Sequence, residues 1–103
     1  MIIYAVLGSS TISPSVFAAR YAPQLLSAME SRESQFVFSD ESGCATLTAK
    51  FLHARGYRNC IIYHLGDQPR HTIGKYPTKG GFISYSEIEA TLREISSQII
   101  LPS

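Results

Sequence analysis

The sequence predicts a three-layer α/β domain, Rossmann-like and built on a small parallel sheet, and three observations carry that prediction. Apolar, β-branched and aromatic runs recur at Met1 to Leu7, Gln35 to Phe38 and Asn59 to Leu65, and such continuous runs mark strands buried on both faces. Between them the apolar residues return every three or four positions, which is the helical period. Each run then stops at a small or acidic cluster: Gly8-Ser9-Ser10, Ser39-Asp40-Glu41-Ser42-Gly43 and Gly66-Asp67-Gln68-Pro69-Arg70. Strand, helix, strand, helix, strand is the order that right-handed crossovers generate in a parallel sheet with helices on its faces.

The first helical segment starts near Ser13, with Pro14 suited to its first turn and Val16, Phe17, Tyr21, Leu25, Leu26 and Met29 on one stripe. Pro23 interrupts it, so the helix either kinks there or a second one begins, because proline lacks the amide donor and crowds the preceding turn. The next helix is expected from Cys44 to Arg55, with Leu47, Phe51 and Leu52 on one face, Ser42 as its N-cap and Gly56 in the left-handed terminating position. Residues 66 to 81, rich in Gly, Pro, Lys and His, read as a long loop of the kind that carries function. A last helix begins at Ser84 or Ser86, each with a glutamate three residues on, and runs to about Ile99. The sheet is expected to have three strands, with Phe82-Ile83 as the candidate fourth.

A chain of 103 residues supports one core, so residues 1 to 103 form a single domain. The apolar fraction of 45%, with five Phe and six Tyr, is enough to close that core. Nine basic and eight acidic residues give a net charge of +1, which leaves no whole-protein field to hold a nucleic-acid backbone or an anionic membrane. Cys44 and Cys60 sit in apolar segments without CxxC or Cys/His ligand spacing, and read as core residues of a reduced, cytoplasmic protein with no metal site. The N-terminal run lacks a basic lead, and no apolar run is long enough to span a bilayer.

In open α/β sheets, ligands bind outside the carboxyl ends of the strands, so the three polar clusters converge on one rim. Gly8, Ser9, Ser10, Ser42 and Gly43 would let backbone approach a ligand closely, and the free amides opening the second helical segment suit an anion. Asp67, Arg70 and Lys75 add charge from the long loop, Arg70 as a fork for phosphate or carboxylate. Each of these has an ordinary alternative as turn chemistry or a solvated loop residue; their repetition at three strand ends favours the rim. Asp40 and Glu41 are the candidate catalytic carboxylates, since a carboxylate stabilises an oxocarbenium-like transition state, with helix capping as the structural alternative for Asp40. His64 reads as a packing residue at the end of a buried strand, and His53 as a helix-surface residue.

Several of these segments resemble the SLOG superfamily, which groups the DprA-type DNA-processing domain with the LOG-type cytokinin-activating phosphoribohydrolases. The resemblance rests on Gly8-Ser9-Ser10, Ser42-Gly43-Cys44-Ala45, Gly56-Tyr57-Arg58-Asn59 leading into Tyr63, and Arg70-His71-Thr72-Ile73-Gly74-Lys75-Tyr76-Pro77-Thr78. It covers roughly residues 1 to 80 and implies a nucleotide or nucleotide-derived ligand at the rim, with no separate cofactor. Two departures bear on activity: Gly43-Cys44-Ala45 stands where many members have Gly-Ala-Asp, and the Pro-Gly-Gly-x-Gly-Thr signature of the phosphoribohydrolases is absent. The resemblance therefore implies a sensor or sequestering domain, with an N-glycosidase or deoxyribosyltransferase-like enzyme as the alternative and DprA-like binding of single-stranded DNA as the weaker one. A small sheet also leaves helix faces uncovered, so a homodimer paired through the first or last helix is expected.

Overall fold

Every strand of the sheet is parallel, in keeping with the continuous apolar runs at residues 1–7, 35–38 and 59–65. The computed structural model describes residues 1–102. Its strands are β1 (Ile3–Val6), β2 (Gln35–Ser39), β3 (Cys60–Leu65), β4 (Thr78–Phe82) and β5 (Gln98–Ile100), in the spatial order β4-β3-β2-β1-β5. The helices are α1 (Pro14–Arg20), α2 (Ala22–Ala28), α3 (Cys44–Ala54) and α4 (Tyr85–Ile95), with a 3-10 turn at Ile73–Lys75. This is a three-layer, Rossmann-like α/β fold, and among the described residues no helix is long and apolar enough to cross a membrane.

Side-chain alternation along the strands divides the interior in two. Val6, Phe36, Phe38, Cys60, Ile62 and Ile100 face the layer of α1, α2 and α3, where they meet Phe17, Tyr21, Leu25, Ala49 and Leu52. Ala5, Leu7, Val37 and Tyr63 face the other way, onto Ile88 and Leu92 of α4. The chain thus steps from β1 to β4 along one face and returns by α4 across the other, so strand order reverses beside β1.

The boundaries show where local signals win and where they are overridden. Ser13 caps α1, accepting from the Val16 amide at 3.2 Å, and Ser84 caps α4, accepting from the Glu87 amide at 3.1 Å. At Pro23 a second helix begins, with proline in the first turn of α2, where its missing donor costs least. Ser42 is not the N-cap of α3: Gly43 holds that position with φ +82°, a conformation that favours glycine, and its side-chain-free α-carbon packs against the Ser10 backbone.

The sheet has two strands beyond the three expected, and of these only β4 was anticipated in part, at Phe82. The last helix stops at Ile95 rather than near Ile99, because Ser97 docks onto β1: its amide and the Ile3 carbonyl lie 2.9 Å apart, and its hydroxyl accepts from the Ile3 amide at 3.1 Å. Residues 98–100 then pair with β1 instead of continuing the helix. The expected loop over 66 to 81 contains β4, which pairs with β3 from Ile62 to Leu65 through a register shift. That strand takes in Phe82 of the expected Phe82-Ile83 but begins four residues earlier, at Thr78, and leaves Ile83 outside. The connection from β3 to β4 crosses on the α3 face without a helix, filled by the 3-10 turn and by buried Tyr76, whose hydroxyl donates to the Tyr57 carbonyl at 2.7 Å.

Candidate functional site

The three polar clusters do converge at the carboxyl ends of β1, β2 and β3, but they are joined to each other more closely than an open anion site would be. The Cys44 amide, first of the α3 donors, gives its hydrogen to the Ser9 carbonyl at 3.0 Å. The Ser9 hydroxyl accepts from the Thr11 amide at 3.0 Å and pairs with the Thr11 hydroxyl at 2.9 Å. Gly8, Ser9, Ser10, Ser42 and Gly43 therefore lie together, with part of their hydrogen-bonding capacity spent within the protein.

Asp40 proves to be a tie. Although it sits at a strand end, it is only 1% exposed. Its Oδ2 accepts from the Arg70 amide at 2.7 Å, its Oδ1 accepts from the Tyr85 hydroxyl at 2.9 Å, and its own amide donates to the Tyr63 carbonyl at 3.1 Å. One buried carboxylate thus joins the end of β2 to the loop after β3 and to the first residue of α4. The Tyr85 hydroxyl, beside the exposed Arg70 guanidinium, holds that guanidinium's pKa above its ordinary value, and Asp40 and Glu41 add to the effect. Burial pushes the Tyr85 phenol up, against the pull of Arg70.

Next to this tie a cleft opens between the end of β1, the β2–α3 turn and α4, lined by Val6, Leu7, Ala45, Ile88 and Leu92 on its floor. Gly8, Ser39, Glu41, Ser42, Tyr85 and Glu89 complete the lining. It is narrow, with room of about 30 Å³. The lining contains two glutamates and no lysine or arginine; the nearby cations are Arg70, beside Tyr85, and Arg93, whose Nε meets Glu89 Oε2 at 3.1 Å. Glu41 is half-buried, its backbone held by the Ser39 hydroxyl, which accepts from the Glu41 amide, and by the Thr46 hydroxyl, which donates to the Glu41 carbonyl.

The charged residues of the long loop separate. Arg70 stays at the rim, and Asp67 is exposed in the turn after β3, outside the cleft lining. Lys75 is carried to the opposite end of the sheet: its neighbours Gly74 and Tyr76 bond to Arg58 and Tyr57, which precede β3. His71 lies between, its Nδ1 accepting from the Ile73 amide at 3.3 Å, and burial lowers its pKa. His64 is buried as a packing residue beneath Gly80 of β4, its Nδ1 3.0 Å from the Leu65 carbonyl oxygen. Cys44 and Cys60 are buried free thiols, both pushed up by burial, Cys60 to about 12. Among the described residues no three His, Cys, Asp or Glu side chains group to hold a metal.

Tyr85 and Glu89 escape a reading of the sequence as site residues because Tyr85 lies 45 residues along the chain from Asp40; the Ser84 cap signals where their helix starts but not that it starts beside the end of β2. Compared with family models, with curated proteins and with solved structures, the chain finds no match.

Proposed function

We propose that the protein binds a nucleotide or nucleotide-derived ligand across the carboxyl rim of its sheet, as a sensor or sequestering domain. The observation that carries this reading is the cleft at the ends of β1 and β2, beside the point where strand order reverses, which is where doubly wound sheets bind ligands. Small residues at Gly8, Ser39, Ser42 and Ala45 keep its walls low, and Arg70 stands at the rim to meet an anionic group. The likeness of Gly8-Ser9-Ser10 and Ser42-Gly43 to SLOG motifs supports the same ligand class.

The test is a thermal-shift screen of nucleosides, nucleoside 5′-monophosphates, cyclic dinucleotides and ADP-ribose, because a ligand that binds only the folded state raises Tm by mass action. Ser42→Tyr, at an exposed position on the cleft wall, is expected to abolish the shift without lowering the Tm of the free protein. A screen in which none of these ligands moves Tm refutes the proposal. The second reading, cleavage or transfer at a nucleoside N-glycosidic bond, rests on Glu41 alone, since Glu41 lines the cleft whereas Asp40 is committed to Arg70 and Tyr85. Release of free base, followed by chromatography and lost in Glu41→Gln, is its signature.

A further inference from the structure

We infer that His71 is a pH-sensitive latch on the helix-free crossover: its neutral ring holds the turn over residues 71–75 closed, and a proton taken from water at Nδ1 lets that turn open. The latch does not depend on the ligand proposed above; it concerns the segment that leaves the rim after Arg70.

The ring supplies the acceptor that fixes the start of the turn. His71 Nδ1 accepts from the amide of Ile73, two residues on, at 3.3 Å, and the Lys75 amide donates to the Thr72 carbonyl at 3.0 Å. An accepting Nδ1 carries no hydrogen, so the one ring proton sits on Nε2. That nitrogen is shut off from solvent and, among the described residues, meets no hydrogen-bond partner. A second proton on Nδ1 turns the acceptor into a donor and sets it against the Ile73 N–H. The charged ring then presents two N–H groups, one facing another donor and one with nothing to receive it, so the closed turn suits the neutral ring alone.

The backbone that the latch holds is strained. Gly74 has φ +74° and Lys75 has φ +53°, the latter being the one positive-φ residue other than glycine among the described residues. Such backbone persists only where its neighbours fix it. Here the Gly74 carbonyl accepts from Arg58 Nη1 at 3.1 Å, and His71 holds Ile73. Loss of the second bond frees a segment whose two ends stay anchored, by the Arg70 amide on Asp40 and by the pairing of β4 with β3.

The surroundings also disfavour the charged ring. Burial acts most strongly against it, Lys50 of α3 and the adjoining Arg70 add to that, and Asp40 at the end of β2 opposes them; the net effect is to lower the pKa. The stability that His71 contributes is therefore whole above about pH 6.5, where the imidazole of the unfolded chain is also neutral, and is lost as pH falls toward the folded midpoint.

NMR of the full chain from about pH 8 to about pH 5 tests this, with the ring followed by its Cε1–Hε1 signal and each amide by its hydrogen-exchange protection. Protection of Ile73 and Lys75 should fall along the His71 titration, by up to about tenfold for each pH unit below its midpoint. The Gly66 amide, bonded to the Phe82 carbonyl within the β3–β4 pairing, should keep its protection. His71→Asn, whose side-chain oxygen can accept from a backbone amide two residues on and does not titrate, should keep Ile73 protected throughout. His71→Phe, with no acceptor, should leave Ile73 unprotected even at the alkaline end. Ile73 protection that ignores the His71 titration, that falls equally in His71→Asn, or that survives in His71→Phe overturns the latch. Loss at Gly66 in step with Ile73 also overturns it, since the whole sheet edge would then be responding.

Discussion

Removing the carboxylate of Asp40 should destabilise the fold more than any other single change at the rim. Asp40 is 1% exposed and accepts two hydrogen bonds, from the Arg70 amide at 2.7 Å and the Tyr85 hydroxyl at 2.9 Å. Hydrogen bonds to a charged group contribute about 1.5–3 kcal/mol each, so a simple sum for Asp40→Ala is about 3–6 kcal/mol. Arg70 and Tyr85 lie near solvent and recover water once the carboxylate is gone, which places the expected loss near the lower end, about 3 kcal/mol. For a domain of this size that lowers Tm by roughly 12 °C or more. Tyr85→Phe removes one of the two bonds and should cost about 1.5 kcal/mol. The double variant should be no less stable than Asp40→Ala alone, because the bond between the two residues is not lost twice, giving a coupling of about 1.5 kcal/mol. Urea denaturation of the four proteins at pH 7 measures the cycle. Additive losses, or a loss below about 0.5 kcal/mol for Asp40→Ala, would refute the assignment of Asp40 as the tie between the layers.

Gly80→Ala should destabilise by about 1–3 kcal/mol, because a β-carbon there would run into the His64 ring and come within 2.5 Å of the Gly66 carbonyl oxygen, a backbone atom that cannot turn away; chemical denaturation reads this directly, and a neutral result would remove the close approach of β4 to β3. Stability should also fall in alkali. Cys60 is raised by burial from 9.0 to about 12, so the unfolded chain gives up its proton first, and the stabilisation present below pH 9 is lost between pH 9 and pH 12, at up to about 1.4 kcal/mol per pH unit. Cys60→Ala should flatten that slope, and an unchanged slope would assign the alkaline loss to other groups.

How far the sequence discloses this fold depends on whether each element carries its own signal. β1, α3 and β3 do, through apolar runs, helical spacing and Gly56, whose φ of +71° follows α3 as expected. β4 does not: Thr78-Lys79-Gly80-Gly81-Phe82 has neither alternation nor β-branched density, and its place depends on backbone pairing with β3. β5 is concealed for a different reason. Ile88, Leu92, Ile95 and Ile99 continue a helical spacing across the true end of α4, and only the docking of Ser97 onto β1 breaks it. At the rim, polar residues after strands announce a location but not a task. Nothing local to Asp40 reveals that its partners lie 30 and 45 residues away, so it reads as a catalytic or helix-capping carboxylate while the structure uses it as a buried acceptor.

The crossover from β3 to β4 has no helix, and that shapes how this edge of the sheet is held. Elsewhere on that face the strands are sealed by α1, α2 and α3, whereas the β4 side relies on a three-residue 3-10 turn and the ring of Tyr76. β4 itself is exposed along Thr78, Lys79, Gly80 and Gly81 and forms one edge of the sheet. Its hold on the sheet is therefore mostly backbone pairing, from the Ile62 amide on the Pro77 carbonyl at 2.9 Å to the Gly66 amide on the Phe82 carbonyl at 3.0 Å, rather than side-chain burial. The loop that leaves the rim at Arg70 and ends in β4 is then a strap fastened at one end by a buried carboxylate, Asp40, and at the other by backbone hydrogen bonds to β3.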